Sequence, residues 1–276
     1  MRAVVAGCLG ALAMAASAAS SPARDADRYP DWSGQWTRAG SPNFDPSKPP
    51  GKGQRAPLTA EAQAAFDKVA ANRAQGGLEN SLSVTCVPNG MPRVMIDYET
   101  SDFFVTPSTT YLWFDFSNEL RRIYTDGRKW PDKIEPSFTG YSIGEWKDTT
   151  GSGKFDALEV ETRGFRGPRT YDGTGVSLHA DNQSVIKERL YVDKASPALL
   201  RDEITTTDHA LTRPWTVTRA YKRVDKIVWT ENLCALDTSY VILGDENYFI
   251  GADGYVMPAK KDQKPPDLRY FGGEKQ

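Results

Sequence analysis

The sequence is poor in the residue types that most often mark metal and catalytic sites. It has two histidines, His179 and His209, and three cysteines in 276 residues. A zinc site needs further Cys, Asp or Glu at ligand spacing, and the chain has neither an HExxH motif nor a paired-cysteine motif. No glycine-rich segment has the strand and helix context of a phosphate-binding loop. We therefore predict no metal and no cofactor.

A membrane-spanning run and an excess of either charge are also missing. The apolar run Ala3 to Ala16 follows a short positive start and is too short to cross a bilayer, which is typical of a secretory signal peptide. We expect cleavage near Ala18 or Ala19 and a periplasmic or secreted protein. The formal net charge of −2 and the absence of a basic stripe argue against nucleic acid or an anionic membrane surface as partner.

Removal of the signal peptide, which contains Cys8, would leave Cys86 and Cys234. In an oxidising compartment an isolated pair of cysteines is most simply one disulfide, so we predict a Cys86–Cys234 bond. The alternative is a pair of buried free thiols.

Strand and helix patterns do not alternate, which disfavours a doubly wound α/β fold. Beyond Val84, apolar residues instead recur with a period of two, and turn residues separate the segments. The predicted strands are Arg93–Tyr98, Phe103–Thr106, Thr110–Phe116, Leu120–Asp126, Tyr141–Lys147, Phe155–Thr162, Ser184–Val192, Leu199–Thr206, Trp215–Arg223 and Ile227–Cys234. Strands at this spacing indicate an all-β protein built as an antiparallel barrel or sandwich.

The rest of the chain is predicted to lie around this sheet. We predict a signal peptide over residues 1–19, an N-terminal arm and helix over 20–83, the barrel over 84–238 and a wrapping tail over 239–276. The helix spans Pro57 to Gln75 with Thr59 as its N-cap. Its apolar stripe is narrow, so we expect a peripheral helix.

Charged residues on apolar strand faces are the most informative feature. If Ser117-Asn118-Glu119 forms a three-residue hairpin loop, Arg122 shares a face with Leu112 and Tyr124. The same alternation places Glu188, Asp202, Arg219 and Glu231 on apolar faces of their own strands. A lone buried charge is costly, so these residues should form ion pairs or line a polar cavity. They form either a structural ion network or a ligand pocket.

The pocket interpretation names specific residues. Arg122, Tyr124, Trp113, Trp215 and Arg219 are the candidate ligand-binding residues. Candidate acid–base residues are His179, Glu188 and Asp126, because histidine titrates near neutrality and carboxylates can exchange protons. A single histidine in a loop is more commonly a surface residue, so this second set is the weaker hypothesis.

Several short motifs together resemble one protein family. They are Asp31-Trp32-Ser33-Gly34, Cys86 with Pro88, Gly90 and Met91-Pro92-Arg93, Arg122-Ile123-Tyr124-Thr125-Asp126-Gly127-Arg128, Gly140 with Ser142-Ile143-Gly144 and Trp146, Leu158 with Val160-Glu161-Thr162, Glu188-Arg189, Pro214-Trp215, Cys234 and the C-terminal Pro265-Pro266-Asp267-Leu268-Arg269-Tyr270-Phe271. The chain resembles a broad family of secreted bacterial proteins with lipocalin-like (calycin-type) β-barrels. The resemblance implies a single antiparallel barrel with an N-terminal arm, one peripheral α-helix and a C-terminal wrapping tail. It supplies no catalytic residues, and the insertion Lys147 to Asp156 departs from the family pattern.

Three functions follow from these observations. The leading hypothesis is a periplasmic barrel protein that binds a small apolar or aromatic molecule in its interior. The alternative is a cofactor-independent acid–base enzyme, such as an isomerase, lyase, hydratase or cyclase, acting on such a molecule. The third is a structural envelope protein without a ligand. The sequence does not indicate an oligomeric state.

Overall fold

The computed structural model describes residues 27–40, 56–77, 86–97, 100–179, 183–228, 230, 232, 234, 240–243, 246–251 and 254–266. The predicted signal peptide lies outside these residues. The strands are β1 (Gly34–Arg38), β2 (Thr100–Val105), β3 (Thr109–Phe114), β4 (Glu119–Tyr124), β5 (Tyr141–Lys147), β6 (Ala157–Arg163), β7 (Arg169–Thr170), β8 (Ser177–Leu178), β9 (Val185–Val192), β10 (Leu199–Thr207), β11 (Trp215–Arg223), β12 (Tyr240–Leu243), β13 (Glu246–Ile250) and β14 (Val256–Pro258). One α-helix, α1 (Ala60–Ala74), accompanies them.

Nine strands close into a β-barrel in the order β1-β11-β10-β9-β6-β5-β4-β3-β2, and β1 pairs with both β2 and β11. The barrel confirms the all-β prediction, but the expectation of a purely antiparallel sheet was wrong. β4 and β5 pair in parallel, with Ile123 opposite Ser142. A closed ring with an odd number of strands must contain at least one parallel pair. The long connection between Tyr124 and Tyr141 provides it, because it carries the chain back before β5 begins.

Two predicted strands are not strands. Within Arg93–Tyr98, predicted as a strand, Arg93–Ile96 forms a 3₁₀ helix in which Val94, Met95 and Ile96 are all buried. Three consecutive buried residues do not fit a strand with one buried face, and here the short helix packs into one end of the barrel. Ile227–Cys234 shows no strand at its described positions. In contrast, β1 lies in the segment that was predicted to be an arm, and its Trp36 is buried.

The two ends of the barrel differ. The end that carries the β5–β6 loop (148–156) and the β9–β10 loop (193–198) is called the loop end below. There Trp32 packs on Trp146 with ring centroids 5.0 Å apart. The other end, filled by the 3₁₀ helix, is called the plugged end, and there the Tyr221 hydroxyl donates to the Met95 carbonyl at 2.7 Å. An apolar core cluster lines the barrel between them.

Peripheral elements cover the plugged end. Helix α1 begins after Thr59, whose side chain accepts a hydrogen bond from the Ala62 amide at 3.2 Å, which confirms the predicted N-cap. Phe66 of this helix packs on a second apolar cluster that includes Tyr171 and Trp215. The described part of the C-terminal tail forms a separate three-stranded sheet, β12-β13-β14.

The predicted disulfide is present. Cys86 and Cys234 are bonded, with their Cα atoms 5.6 Å apart. The bond ties the segment that leads into the 3₁₀ helix to the chain beyond β11, so it joins two parts of the chain that are far apart in sequence.

Candidate functional site

A buried ion pair lies inside the barrel. Arg121 and Glu188 have fully buried side chains. Arg121 Nη1 donates to Glu188 Oε1 at 2.8 Å, and Nη2 donates to Oε2. Nη2 also donates to Thr162 Oγ1 at 3.1 Å. Burial by itself would lower the pKa of Arg121, but the charge and hydrogen bonds of Glu188 outweigh it and raise the pKa. Arg121 is therefore charged, and it is committed to Glu188.

Asp202 makes this interior cluster unusual. It is fully buried, and neither of its carboxylate oxygens has a hydrogen-bond partner among the described residues. Burial, and after it the charge of Glu188, raise the pKa of Asp202 well above its usual range, although Arg121 and Arg219 oppose the shift. Two ionised carboxylates offer each other no proton, whereas a protonated Asp202 can donate to Glu188. Asp202 therefore holds its proton to a higher pH than an ordinary aspartic acid does.

The cluster corrects the prediction for Arg122. The β3–β4 loop has four residues, so Phe114 pairs with Glu119 and Leu112 pairs with Arg121. Arg122 therefore points outward and is exposed. A register change of one residue moves every side chain of a strand to the opposite face, which explains the error. Glu188, Asp202 and Arg219 are buried inside as the alternation predicted.

Other predicted ligand-binding and acid–base residues do not come together. Trp113 lies on the outer side of β3, and Trp215 is buried at the plugged end, where its ring stacks on Tyr171 at a centroid distance of 4.3 Å. Tyr124 lies beneath the Arg128 guanidinium at 3.7 Å, and Asp126 pairs with the same arginine at the surface. Glu231 lies outside the described residues. The predicted interior pocket is therefore not assembled from these residues.

A cavity of about 730 Å³ lies at the loop end, and it is called the rim cavity below. It is lined by Pro30, Trp32, Thr149, Thr150, Phe155, Asp156, Arg189, Tyr191, Val192, Asp193, Lys194, Ala195 and Pro197. Its volume falls in the range of about 300–1,000 Å³ that is usual for small-molecule sites. The walls come from the N-terminal segment, the β5–β6 loop and the β9–β10 turn.

Aromatic contacts hold the walls of the rim cavity in place. The Phe155 ring lies 5.1 Å from Tyr29 and 6.3 Å from Trp146, measured between centroids. The Phe155 amide donates to the Arg28 carbonyl at 2.7 Å, which ties the β5–β6 loop to the N-terminal segment. The segment from Lys147 to Asp156 thus builds one wall of this cavity. A second cavity, of about 490 Å³, lies on the outer face of β5, β6, β9, β10 and β11 beside Trp130, and it is called the outer groove below. Arg189 lines both the outer groove and the rim cavity.

His179 forms a separate polar site at the plugged end. Its Nδ1 lies 2.8 Å from Oδ1 of Asp208, and its ring is about half exposed, while the Asp208 side chain is fully buried. Asp208 also accepts from Ser184 Oγ at 2.5 Å and from Arg169 Nη2 at 3.2 Å. Burial would raise the pKa of Asp208, but Ser184 and the other donors outweigh it and lower the pKa. An ionised Asp208 fixes the Nδ1–H tautomer of His179 and leaves Nε2 as the acceptor.

Sequence reasoning missed Arg121, Asp208 and the rim cavity. A signal for Arg121 existed in Asn118, a residue that tolerates positive φ and adopts φ 54° at the end of the hairpin loop. Asp208 follows a strand and precedes a turn, but nothing in the local pattern links it to His179. The rim cavity joins three segments that are distant in sequence, so it has no local signal.

The sequence was compared with models of known protein families and with curated protein sequences. No model of a known protein family matches the chain, and no curated protein sequence matches it. In the part of the chain that the structure describes, no helix is both long and apolar enough to cross a membrane. Among the described residues, we find no group of three or more His, Cys, Asp or Glu side chains that is placed to hold a metal ion.

Proposed function

We propose that the chain is a periplasmic or secreted barrel protein that binds a small, largely apolar or aromatic molecule in the rim cavity. The observation that carries this proposal is the cavity itself, with Trp32, Phe155 and Val192 in its lining. Concave, mostly apolar sites with a few polar groups are the usual form of small-molecule sites, and barrel mouths are common places for them.

The proposed binding site lies at the rim of the barrel, whereas the sequence-based hypothesis placed the ligand in the barrel interior. Inside the barrel, Arg121 and Glu188 neutralise each other, and Arg219 and Asp202 lie on opposed positions of neighbouring strands. These charges support the structural ion network. The lipocalin-like resemblance and export to an oxidising compartment belong to the same proposal, and the Cys86–Cys234 bond supports export.

Binding of N-phenyl-1-naphthylamine, a neutral aromatic probe that fluoresces in apolar sites, tests the proposal. We expect saturable binding to the wild type. Phe155→Ala should weaken it at least about tenfold, because a phenyl ring contributes about 1.5–3 kcal/mol when it is buried. Phe104→Ala is the matched control, since Phe104 is exposed on β2 outside the cavity. Equal affinities of the two variants would reject the rim cavity as the binding site.

A second candidate function is favoured by the hydrogen bond between His179 and Asp208. A histidine that is oriented by a buried carboxylate and has an accessible Nε2 is arranged for proton transfer. His179 would take a proton from the substrate and return it in a cofactor-independent isomerase, lyase, hydratase or cyclase. Glu188 and Asp126 are less suited to this role, because each already pairs with an arginine.

The second candidate has its own test. Nitrogen NMR of the neutral His179 ring should show the proton on Nδ1 and the lone pair on Nε2. Diethyl pyrocarbonate should modify Nε2 of His179, and Asp208→Asn should change the ratio of the two tautomers. A neutral ring with its proton on Nε2 would contradict this role. Thr205→Ala is a control for a substitution near Asp208, since Thr205 lies on the outer face of β10, the strand that Asp208 follows.

A further inference from the structure

The charged residues of the rim cavity differ in whether they already have partners. Its two acidic residues are satisfied within the protein. Asp156 accepts from the Thr149 amide at 2.8 Å and from Thr149 Oγ1 at 2.6 Å, and these bonds lower the pKa of Asp156. Asp193 accepts from Arg201 Nε at 2.9 Å and from the Ala195 amide at 2.9 Å.

The two basic residues of the rim cavity are placed differently. Within the described part of the chain, neither Arg189 nor Lys194 meets a carboxylate at ion-pair distance. The Arg189 guanidinium lies 4.6 Å from the centroid of the Tyr191 ring, and Lys194 is exposed in the β9–β10 turn. Glu159 and Glu203 stand opposite Arg189 on the neighbouring strands and line the outer groove, so they offset part of its charge. The charge of Lys194 helps to lower the pKa of Asp156, but among the described residues Lys194 forms no ion pair.

We propose that the ligand of the rim cavity is an amphipathic anion, a small molecule with an aromatic or aliphatic body and one acidic group. This inference rests on the proposed function. The body would lie against Trp32, Phe155 and Val192, and the acidic group would lie at the side of the cavity formed by Arg189 and Lys194. An anion in this position meets no carboxylate that lacks hydrogen-bond donors, because Asp156 is bound by Thr149, and Asp193 by Arg201 and Ala195.

Charge counting supports an anion over a cation. Asp193 is neutralised by Arg201, which leaves Asp156 with one negative charge against the two positive charges of Arg189 and Lys194. Counted over its lining residues alone, the cavity is positive by one charge, and Glu159 and Glu203 outside it offset part of the Arg189 charge. A cationic ligand would face Lys194 and would find both aspartates occupied. A neutral ligand would use the apolar walls but leave both cations without a partner.

Two probes with the same aromatic skeleton separate this inference from the proposed function. 8-Anilinonaphthalene-1-sulfonate carries a sulfonate, and N-phenyl-1-naphthylamine is its neutral counterpart. We expect the anionic probe to bind more tightly to the wild type, and its affinity should fall as salt screens the charges. Lys194→Gln should weaken the anionic probe by about three- to fivefold, the effect of one exposed charge pair, and should leave the neutral probe unchanged. Arg189→Gln should act in the same direction.

Lys187→Gln is the matched control, because Lys187 lies on the same strand as Arg189 and lines the outer groove instead. It should leave the affinity of both probes unchanged. If the neutral probe binds in the rim cavity and Lys194→Gln and Arg189→Gln leave the anionic probe unaffected, the inference is overturned while the proposed function stands. If neither probe responds to Phe155→Ala, the proposed function itself fails.

Discussion

The carboxyl group of Asp202 lies beside that of Glu188 inside the barrel, and Glu188 is already bound by both terminal nitrogens of Arg121. Arg121 thus binds one of two acids that lie diagonally across β9 and β10, where Glu188 is opposite Ile204 and Asp202 is opposite Leu190. Arg219 lies opposite Asp202 on β11, yet burial and the charge of Glu188 still raise the pKa of Asp202 well above its usual range. This relationship explains how a barrel can hold several charged residues in its interior.

Arg121 and Arg122 form a natural pair for mutation, because they are adjacent and lie on opposite faces of β4. Arg121→Met should lower the free energy of unfolding by about 3–5 kcal/mol, since it leaves Glu188 buried without its partner. Arg122→Met should change it by less than about 0.5 kcal/mol, since Arg122 is exposed. Urea unfolding followed by tryptophan fluorescence measures both.

A third variant separates the lost pairing from a loss of packing. Arg121→Met combined with Glu188→Leu removes both charges, and it should recover a large part of the stability that Arg121→Met loses. If the double variant is as unstable as Arg121→Met, the uncompensated charge of Glu188 is not the cause. Equal effects of Arg121→Met and Arg122→Met would contradict the register of β4.

For β9, β10 and β11, the sequence alone predicts which charged side chain points into the barrel. For β4 it does not. Glu188, Asp202 and Arg219 each sit between apolar residues two positions away, so their faces follow from alternation alone. Whether Arg121 or Arg122 points inward depends on the length of the β3–β4 loop. The sequence pattern fits a loop of three residues as well as one of four. Asp208, Phe155 and Lys194 depend on which loops meet at the ends of the barrel. Which loops lie next to each other depends on how the sheet closes into a barrel, and the local hydrophobic pattern of the sequence carries no information about that closure.

Asp202→Asn should remove a loss of stability that the wild type shows as pH rises. The pKa of Asp202 is raised above 3.8, so the folded protein holds this proton more tightly than the unfolded chain. Its contribution to stability is full below pH 3.8 and is lost as pH rises through the pKa of the folded state. Within this window the free energy of unfolding should fall by up to about 1.4 kcal/mol per pH unit relative to Asp202→Asn.

Urea unfolding of the wild type and Asp202→Asn at pH 5, 6, 7 and 8 measures this effect. The amide is close in shape to the protonated acid, so the variant should fold, and its advantage should grow with pH. Parallel stability profiles over that range would mean that Asp202 does not hold a proton in the folded state. Asp225→Asn is a control at a position where the side chain is exposed beyond β11.

Glu119 is a second acid whose titration should couple to stability. Burial raises its pKa to about 7, although the amides of Gly90 and Asn89 donate to its carboxylate at 2.9 and 2.8 Å and oppose the shift. Its stabilising contribution is present below pH 4.5 and is lost as pH rises through 7. The free energy of unfolding of Glu119→Gln, relative to the wild type, should therefore rise by about 3 kcal/mol between pH 4.5 and 8.

Glu145→Gln is the matched control for Glu119→Gln, because Glu145 is mostly exposed on β5. Glu145→Gln controls for the loss of a glutamate charge from the protein surface. Glu119→Gln should be destabilised at pH 4.5, since an amide cannot accept both backbone hydrogen bonds. A constant difference between Glu119→Gln and the wild type would show that Glu119 titrates at its ordinary pKa in the folded protein.

The disulfide should contribute strongly to stability, because it closes a long loop. Cys86 and Cys234 are 148 residues apart, and the loop-entropy relation gives an upper value of roughly 5 kcal/mol for a loop of that length. Cys86→Ser combined with Cys234→Ser should therefore unfold at a much lower urea concentration than the oxidised wild type. The wild type measured with a reducing agent should match the double variant, since both lack the same cross-link. If the two differ by more than the cost of burying two hydroxyl groups in place of thiols, the bond does not account for the loss of stability.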